Sequence, residues 1–308
     1  MLYEEAGVDI KRAENFVKGI PRFLTNTGLL PPNGFAGGYA HTDGSSFYVT
    51  CDGVGSKIEM ARKLEMYHGL GIDLVAMNVN DLICHRAQPV GFLNYIATHR
   101  IAPFMDKILE GIVDGCKIAN CSLLGGETSE MPSVYEEGKF DIAGFAMGIR
   151  DSRPFYRDMM SGDVIIGLKS SGVHANGFAL INKLCDPDPA FLEPTKIYST
   201  MVGKLIKEFD VLGIAHITGG GLRNIERCLS TDVSAIIKKS YWRTPAIFDK
   251  IPVDEEEKYR IFNMGIGMVI VIGKNDADRF IKRVCDHEEQ AVVIGEITWE
   301  LKEKVYVE

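Results

Sequence analysis

Apolar residues recur at steps of three and four between Phe104 and Ala119, at Met105, Ile108, Leu109, Ile112, Val113 and Cys116. That spacing gathers them on one face and predicts a helix across the segment. In GIDLVAMNVNDLICHRAQP, Gly71 to Pro89, a helical step of about 100° per residue puts Val75, Val79, Leu82 and Ile83 on one face. Asp73, Met77, Asn80 and Asp81 fall on the other, so two carboxylates and an amide share a stripe. A helix is therefore expected from Asp73, after a shorter one from Ala61. Short apolar or alternating runs predict strands at 47–51 (FYVTC), 91–97 (GFLNYIA), 121–124 (CSLL) and 140–149 (FDIAGFAMGI).

The polar stretch DSRPFYRDMMSGD, Asp151 to Asp163, interrupts these patterns and places a domain boundary, with 1–150 as one domain and 151–308 as the second. Beyond it, helices are expected near 176–185, 199–209, 220–229 and 275–286. Strands are expected near 164–168, 233–237, 266–272, 291–297 and 304–307. Strands interleaved with helices in both halves give a mixed α/β (α+β) architecture. There is no solenoid-length repeat and no low-complexity segment.

The 308 residues, 46% hydrophobic and 25% charged, suffice for two ordinary domains with filled cores. A formal charge of -8 leaves no basic reserve for many nucleic-acid phosphates. The apolar runs VIIGL and MVIVI are too short to span a bilayer. The N-terminal MLYEEAGVDIKRAENF lacks the basic start and apolar core of a secretory signal. Seven cysteines without a CxxC pair fit reduced thiols better than a disulfide frame or zinc site. The expectation is a soluble cytoplasmic protein that engages neither nucleic acid nor membrane. A small phosphorylated ligand remains compatible, because it needs only a local nest of donors or a metal ion.

TCDGVGSK, Thr50 to Lys57, lacks the spacing and the trailing hydroxyl of a P-loop. Either it is a strand-ending turn with solvated Asp52 and Lys57, or Gly53 and Gly55 let backbone amides approach an anion while Lys57 supplies a point charge. Asp52 would repel a phosphate, so the second reading needs a divalent cation between them. The helix stripe is open in the same way: a solvent face, or Asp73, Asn80 and Asp81 joining Asp52 around Mg2+, which selects hard oxygen ligands.

GGETSEMP, Gly125 to Pro132, again sets glycines and an acid beyond a short strand. Gly125 and Gly126 permit close approach, Glu127 can ligate metal or a ribose hydroxyl, and Thr128 can donate; a plain turn would tolerate the same residues. SSGVHANG and HITGGG place His174, Asn176, His216, Thr218, Gly219, Gly220 and Gly221 just before helices. Free N–H groups and the positive dipole end there suit an anion, while the competing reading is a pair of capping turns with locally bonded histidines. FNMGIGM reads as glycines entering an apolar strand. No nucleophile elbow, zinc signature or dinucleotide fingerprint occurs.

Taken in order, YEEAGVDI, DGVGSK, GIDLVAMNVND, GGETSEMP, DIAGF, SSGVHANG, HITGGGLRNI, FNMGIGM and IGEI resemble the phosphoribosylformylglycinamidine cyclo-ligase (aminoimidazole ribonucleotide synthetase) family over nearly the whole chain. The wider superfamily, with selenophosphate synthetase and thiamine-monophosphate kinase, shares the fold and the acidic metal-nucleotide logic but not this string of motifs. The resemblance implies two α/β domains, with N-terminal sheets joined into a barrel across a homodimer. It implies ATP-dependent closure of formylglycinamidine ribonucleotide to aminoimidazole ribonucleotide, with release of ADP and phosphate, in purine synthesis. On this resemblance 1–150 is the Mg-ATP-binding and dimerisation domain. Asp52, Asp73, Asp81 and Glu127 correspond to metal ligands, and Gly53, Gly55, Lys57, Asn80, Gly125, Gly126 and Thr128 to further nucleotide contacts. Lys57, Asp81 and His174 are then catalytic candidates, and His174, Asn176, His216, Thr218 and Gly219, Gly220 and Gly221 substrate contacts. Asn33 to Ala40 corresponds to a segment that closes over ATP.

The chain also departs from the family pattern. Where Gly-Ala-Glu-Pro is usual, it has Arg86-Ala87-Gln88-Pro89, which sets an arginine where a left-handed glycine is expected, at a cost of about 1 kcal/mol. Ala175 replaces a serine, Ser56 a threonine, and the stretch from Cys185 to Pro194 is shorter. Two alternatives accordingly stand beside the cyclo-ligase: a related ATP-dependent kinase or synthetase on another small substrate, and a catalytically silent nucleotide-binding paralogue.

Overall fold

The computed structural model describes residues 3–8, 12, 15, 16, 34–40, 45–150 and 157–308. In the first half the short β1 (Gly37–Ala40) pairs with β2 (Ser46–Gly53), which runs into helix α1 (Lys57–Leu64) and then α2 (His68–Cys84). β3 (Gln88–Thr98), α3 (Met105–Ala119), β4 (Ser122–Glu130) and β5 (Phe140–Arg150) complete a sheet of order β1-β2-β5-β3-β4. Only the β3–β4 pair is parallel. β5 shows the period-two logic of a strand: Phe140, Ile142 and Ala146 point into the core, while Phe145, Met147 and Ile149 face out. α2 and α3 cover the inner face, and their backbones nearly touch. A Cβ at Gly71 would stand 2.2 Å from Ile108 O, and one at Gly111 would stand 1.9 Å from His68 O.

The second half contains β6 (Val164–Lys169), α4 (Phe178–Leu184), α5 (Ser199–Glu208), β7 (Val211–His216), β8 (Val233–Ile237), α6 (Glu255–Ile261), β9 (Ile266–Ile272), α7 (Ala277–Cys285), β10 (Ala291–Trp299) and β11 (Val305–Val307). Its sheet has the order β11-β8-β10-β6-β9-β7 and is antiparallel except for β11–β8. Every residue of the apolar run IGMVIVI in β9 is buried, as expected of a strand covered on both faces. The cores are continuous across the halves: Ile83 of α2 packs in the same cluster as Leu205, Ile206 and Phe280.

The mixed α/β expectation holds, and the main differences are these. GGETSE does not turn but continues β4, because parallel pairing with Asn94 to Thr98 satisfies its backbone. Residues 221–228 form a 3-10 rather than an α-helix. β7 (VLGIAH) and α6 lay outside the expected elements, and a short apolar run such as β7 suits helix and strand equally. Asn33, at the head of the expected closing segment, and 151–156, in the expected boundary, lie outside the described residues.

Candidate nucleotide and substrate site

The turn from β2 to α1 forms one wall of a cavity of about 600 Å³, lined by Asp52, Gly53 and Gly55 among others. Opposite it stand Ala175, Asn176 and the first residues of α4, with Thr218 and Met77 closing the sides. Asn182 of α4 donates to Ser56 O at 2.7 Å and ties the two walls together. Two helix starts thus face one space, each offering backbone donors that no intrahelical carbonyl uses. The Asn176 side-chain nitrogen is buried with no protein acceptor, which leaves a donor at the cavity wall.

Asp52 sits at the last turn of β2, its Oδ1 accepting from Gly53 N–H at 2.7 Å. Burial first, and the neighbouring Asp81 second, push its carboxyl up to about 6; the Gly53 N–H, His216 and Arg227 pull the other way. Asp81 Oδ1 accepts from His216 Nδ1–H at 2.7 Å. Asn80 donates to Lys196 O at 2.8 Å, accepts from Tyr198 N–H at 2.8 Å, and lies 3.4 Å from His216 Nε2. Asp73 accepts from Thr195 N–H and Oγ1–H at 2.7 and 2.6 Å and meets Lys57 Nζ at 2.7 Å. Lys57 also donates to Glu193 O at 2.9 Å.

The polar stripe of α2 is therefore not a solvent face. Asp73 and Asn80 are fully buried, and the stripe is a hydrogen-bonded seam with the second half. Lys57 likewise points inward to Asp73 rather than into the cavity, and burial lowers its ammonium pKa against the opposing pull of Asp73.

The remaining expected residues divide. Thr218 lines the cavity, its hydroxyl 2.9 Å from the Asn224 amide, and Gly219 is exposed beside it. Gly220 and Gly221 have φ of 101° and 59°, and a Cβ on Gly221 would meet Tyr259 O at 2.4 Å, so the backbone itself requires glycine. His174 turns away from the cavity: its ring is buried beside Tyr198, with Nε2 accepting from Ser171 N–H at 3.3 Å. Burial, then His216 and Lys57, hold it well below the usual histidine range, so it is neutral.

Gly125, Gly126, Glu127 and Thr128 lie on β4, across two intervening strands from Asp52. Gly125 (φ 149°) follows a bulge at Leu124, and Glu127 is exposed, accepting from Thr128 N–H at 2.8 Å. Among the described residues no three His, Cys, Asp or Glu side chains gather as a metal-holding group. The four acids expected around one metal are thus not one group within the chain: Asp73 is committed to Lys57 and Thr195, and Glu127 stands at the far edge. Asp52 and Asp81 remain together.

Sequence reasoning missed Asp141, which lines the same cavity from the DIAGF strand, and Thr195 and Tyr198, which hold the stripe. DIAGF carried a signal for Asp141, as an acid in a resembling motif; Thr195 and Tyr198 carried none. The departures resolve spatially. Arg86 does take the left-handed φ, 61°, and its guanidinium reaches Ile206 O at 3.5 Å in the last turn of α5. Gln88 packs on Gly203 of α5, where a Cβ would come within 2.4 Å of its Oε1. Both sit in the seam; Ser56 and Ala175 line the cavity.

Residues 35–150 match the N-terminal domain of the AIR synthase related proteins and 160–308 their C-terminal domain. Solved structures share this fold at low identity. AaThiL complexed with AMPPCP and TMP superposes with a TM-score of 0.69 at 16% identity, over 97% of this chain and 95% of that one. Thermotoga maritima PurL complexed with ADP gives 0.64 at 18%, over 91% of this chain and 45% of that one. Phosphoribosylformylglycinamidine cyclo-ligases are far more similar in sequence. That of Caldicellulosiruptor bescii is 41% identical over 96% of both chains, and that of Clostridium perfringens 40% identical over 96% of this chain and 97% of its own. The chain belongs to the phosphoribosylformylglycinamidine cyclo-ligase family. No described helix is long and apolar enough to cross a membrane.

Proposed function

We propose that the chain closes the imidazole ring of formylglycinamidine ribonucleotide, consuming ATP and releasing ADP, phosphate and 5-aminoimidazole ribonucleotide in de novo purine biosynthesis. The observation that carries this reading is identity of 41% along 96% of both chains to a cyclo-ligase. An amide oxygen is a poor leaving group. Transfer of the γ-phosphoryl to the formyl oxygen makes it depart as phosphate when the ribosyl-bearing amidine nitrogen attacks the formyl carbon. The protein's part is positioning and charge neutralisation. The helix starts at Gly55–Ser56 and Gly177–Phe178 present N–H groups to phosphate oxygens, and Asn176 and Thr218 offer side-chain polar groups to the substrate.

Asp52 and Asp81 fit Mg2+: two oxygen ligands lie close enough that one raises the other's pKa, a repulsion that a divalent cation relieves. Bound there, the cation would neutralise phosphate charge. His216 orients Asp81 through its Nδ1–H, and Lys57 holds Asp73 and the α1 start in place. On this reading 1–150 is the nucleotide-binding and dimerisation domain, and Glu127 serves the nucleotide of a second copy across a barrel formed by two N-terminal sheets. The outward apolar face of the first sheet, Val49, Leu93, Phe145 and Met147, supports that pairing.

Purified protein with Mg2+, ATP and formylglycinamidine ribonucleotide is expected to release phosphate only when the ribonucleotide is present, and to yield the aminoimidazole by chromatography. Phosphate release without ring closure would replace this reading with kinase chemistry.

A further inference from the structure

Helix α3 ends at a left-handed residue, Asn120 (φ 51°), and the chain folds back so that Cys121 N–H donates to Cys116 O at 2.9 Å and Asn120 N–H to Lys117 O at 3.1 Å. This closure brings the side chains at its two ends together, a place usually filled by two apolar groups. Here both residues are cysteines, and Cys121 packs against the buried cluster that contains Cys116. Cys116 is buried beneath the turn, while Cys121 is partly exposed and leads directly into β4.

We propose that Cys116 and Cys121 form a thiol–disulfide modification site that two-electron oxidants such as hydrogen peroxide close. The backbone bond already holds the ends of the six-residue loop together, so little rearrangement is needed. The sulfurs have unequal roles. The partner thiol lowers the pKa of Cys121 and raises that of Cys116, so Cys121 is the one that ionises first. The Cys121 thiolate attacks peroxide; the O–O bond breaks, an S–O bond forms, and the departing hydroxide takes a proton to become water. Cys116 then attacks the Cys121 sulfur, the S–S bond forms as the S–O bond breaks, and the second water leaves. Two thiols lose two hydrogens and two electrons while peroxide is reduced to two waters.

Three of the other described thiols, Cys51, Cys84 and Cys228, are less suited. Cys51 is exposed, but burial of its sulfur and Asp52 push its pKa up. Cys84 and Cys228 donate to Asn80 O and Ile225 O at 3.3 and 3.2 Å and are raised by burial.

Full-length protein is treated with hydrogen peroxide, its free thiols are alkylated, and it is digested with trypsin. Cleavage after Lys117 puts Cys116 in peptide 108–117 and Cys121 in peptide 118–139. These two are expected joined, about 2 Da lighter than their sum, and separated by reductant. Cys116→Ser, oxidised with dimedone present, is expected to carry the adduct on Cys121 at about tenfold the level of any other cysteine. Absence of the joined peptides while other thiols oxidise, or capture of Cys121 by a different cysteine, overturns the proposal, as does a Cys116→Ser chain whose Cys121 takes no adduct.

Discussion

Asp81 has two duties that substitution can separate. Its Oδ1 accepts from His216 Nδ1–H at 2.7 Å, and its charge raises the carboxyl of Asp52. Asparagine keeps an acceptor for the histidine but loses the charge. Asp81→Asn is expected to lower kcat by about 10²-fold or more while moving Tm by only about 3 °C, read by coupled ADP assay and by calorimetry. His85 makes a pH prediction. Its Nε2 accepts from Phe35 N–H and Ala36 N–H at 3.0 and 2.9 Å, and burial, then Arg150, push its pKa down to about 4. A folded value below the unfolded one, about 6.5, means the folded chain binds fewer protons between them. This contribution is whole above pH 6.5 and lost as pH falls toward 4. Urea midpoints at pH 7 and 4.5 should show wild type losing about 1–2 kcal/mol more than His85→Asn. At this scale the sequence was half legible. Arg86 could be placed in a left-handed turn by its motif position, but its carbonyl partner, Ile206, is 120 residues away.

Elements set by local periodicity were read nearly in full. The three- and four-residue steps gave α3 to within one residue, and β8 and β9 fall where their apolar runs predicted. The second half of β4 escaped because Gly-Gly reads locally as a turn, whereas parallel pairing with β3 decides it. The α2–α3 crossing is also invisible locally, since a glycine inside a helix carries no sign of what approaches it. Gly111→Ala sets a Cβ against backbone that cannot yield, 1.9 Å from His68 O, and is expected to cost about 3 kcal/mol or more in chemical denaturation despite alanine's better helix propensity. Gly55→Ala, with open space around the new Cβ and φ of 53°, should cost only about 1 kcal/mol.

At the scale of the molecule, the motif string gave the family but not the seam. The contacts of Asp73 and Asn80 join distant stretches, and no one-dimensional pattern pairs them. The outward sheet face provides the largest-scale test. Cys51 pairs with Phe145 and Val49 with Met147, so these apolar side chains form one patch rather than scattered exposures. Phe145→Asp is expected to convert a sedimenting dimer into a monomer with unchanged far-UV circular dichroism; a wild type already monomeric at assay concentration would reject the barrel.

During synthesis the α2 stripe leaves the ribosome long before anything can cover it. Asn80, Asp73 and Asp81 emerge 118, 122 and 135 residues ahead of Tyr198, Thr195 and His216. Until those arrive, water must satisfy Asp81, the Asn80 amide and the Asp73 oxygen that Thr195 later takes, with Lys57, a partner of Asp73, already translated. A nascent first half can assemble its sheet and helices, yet Asp81 acquires its fixed orientation only when the strand ending at His216 docks. The seam between the halves is thus completed last, although one side of it is translated early.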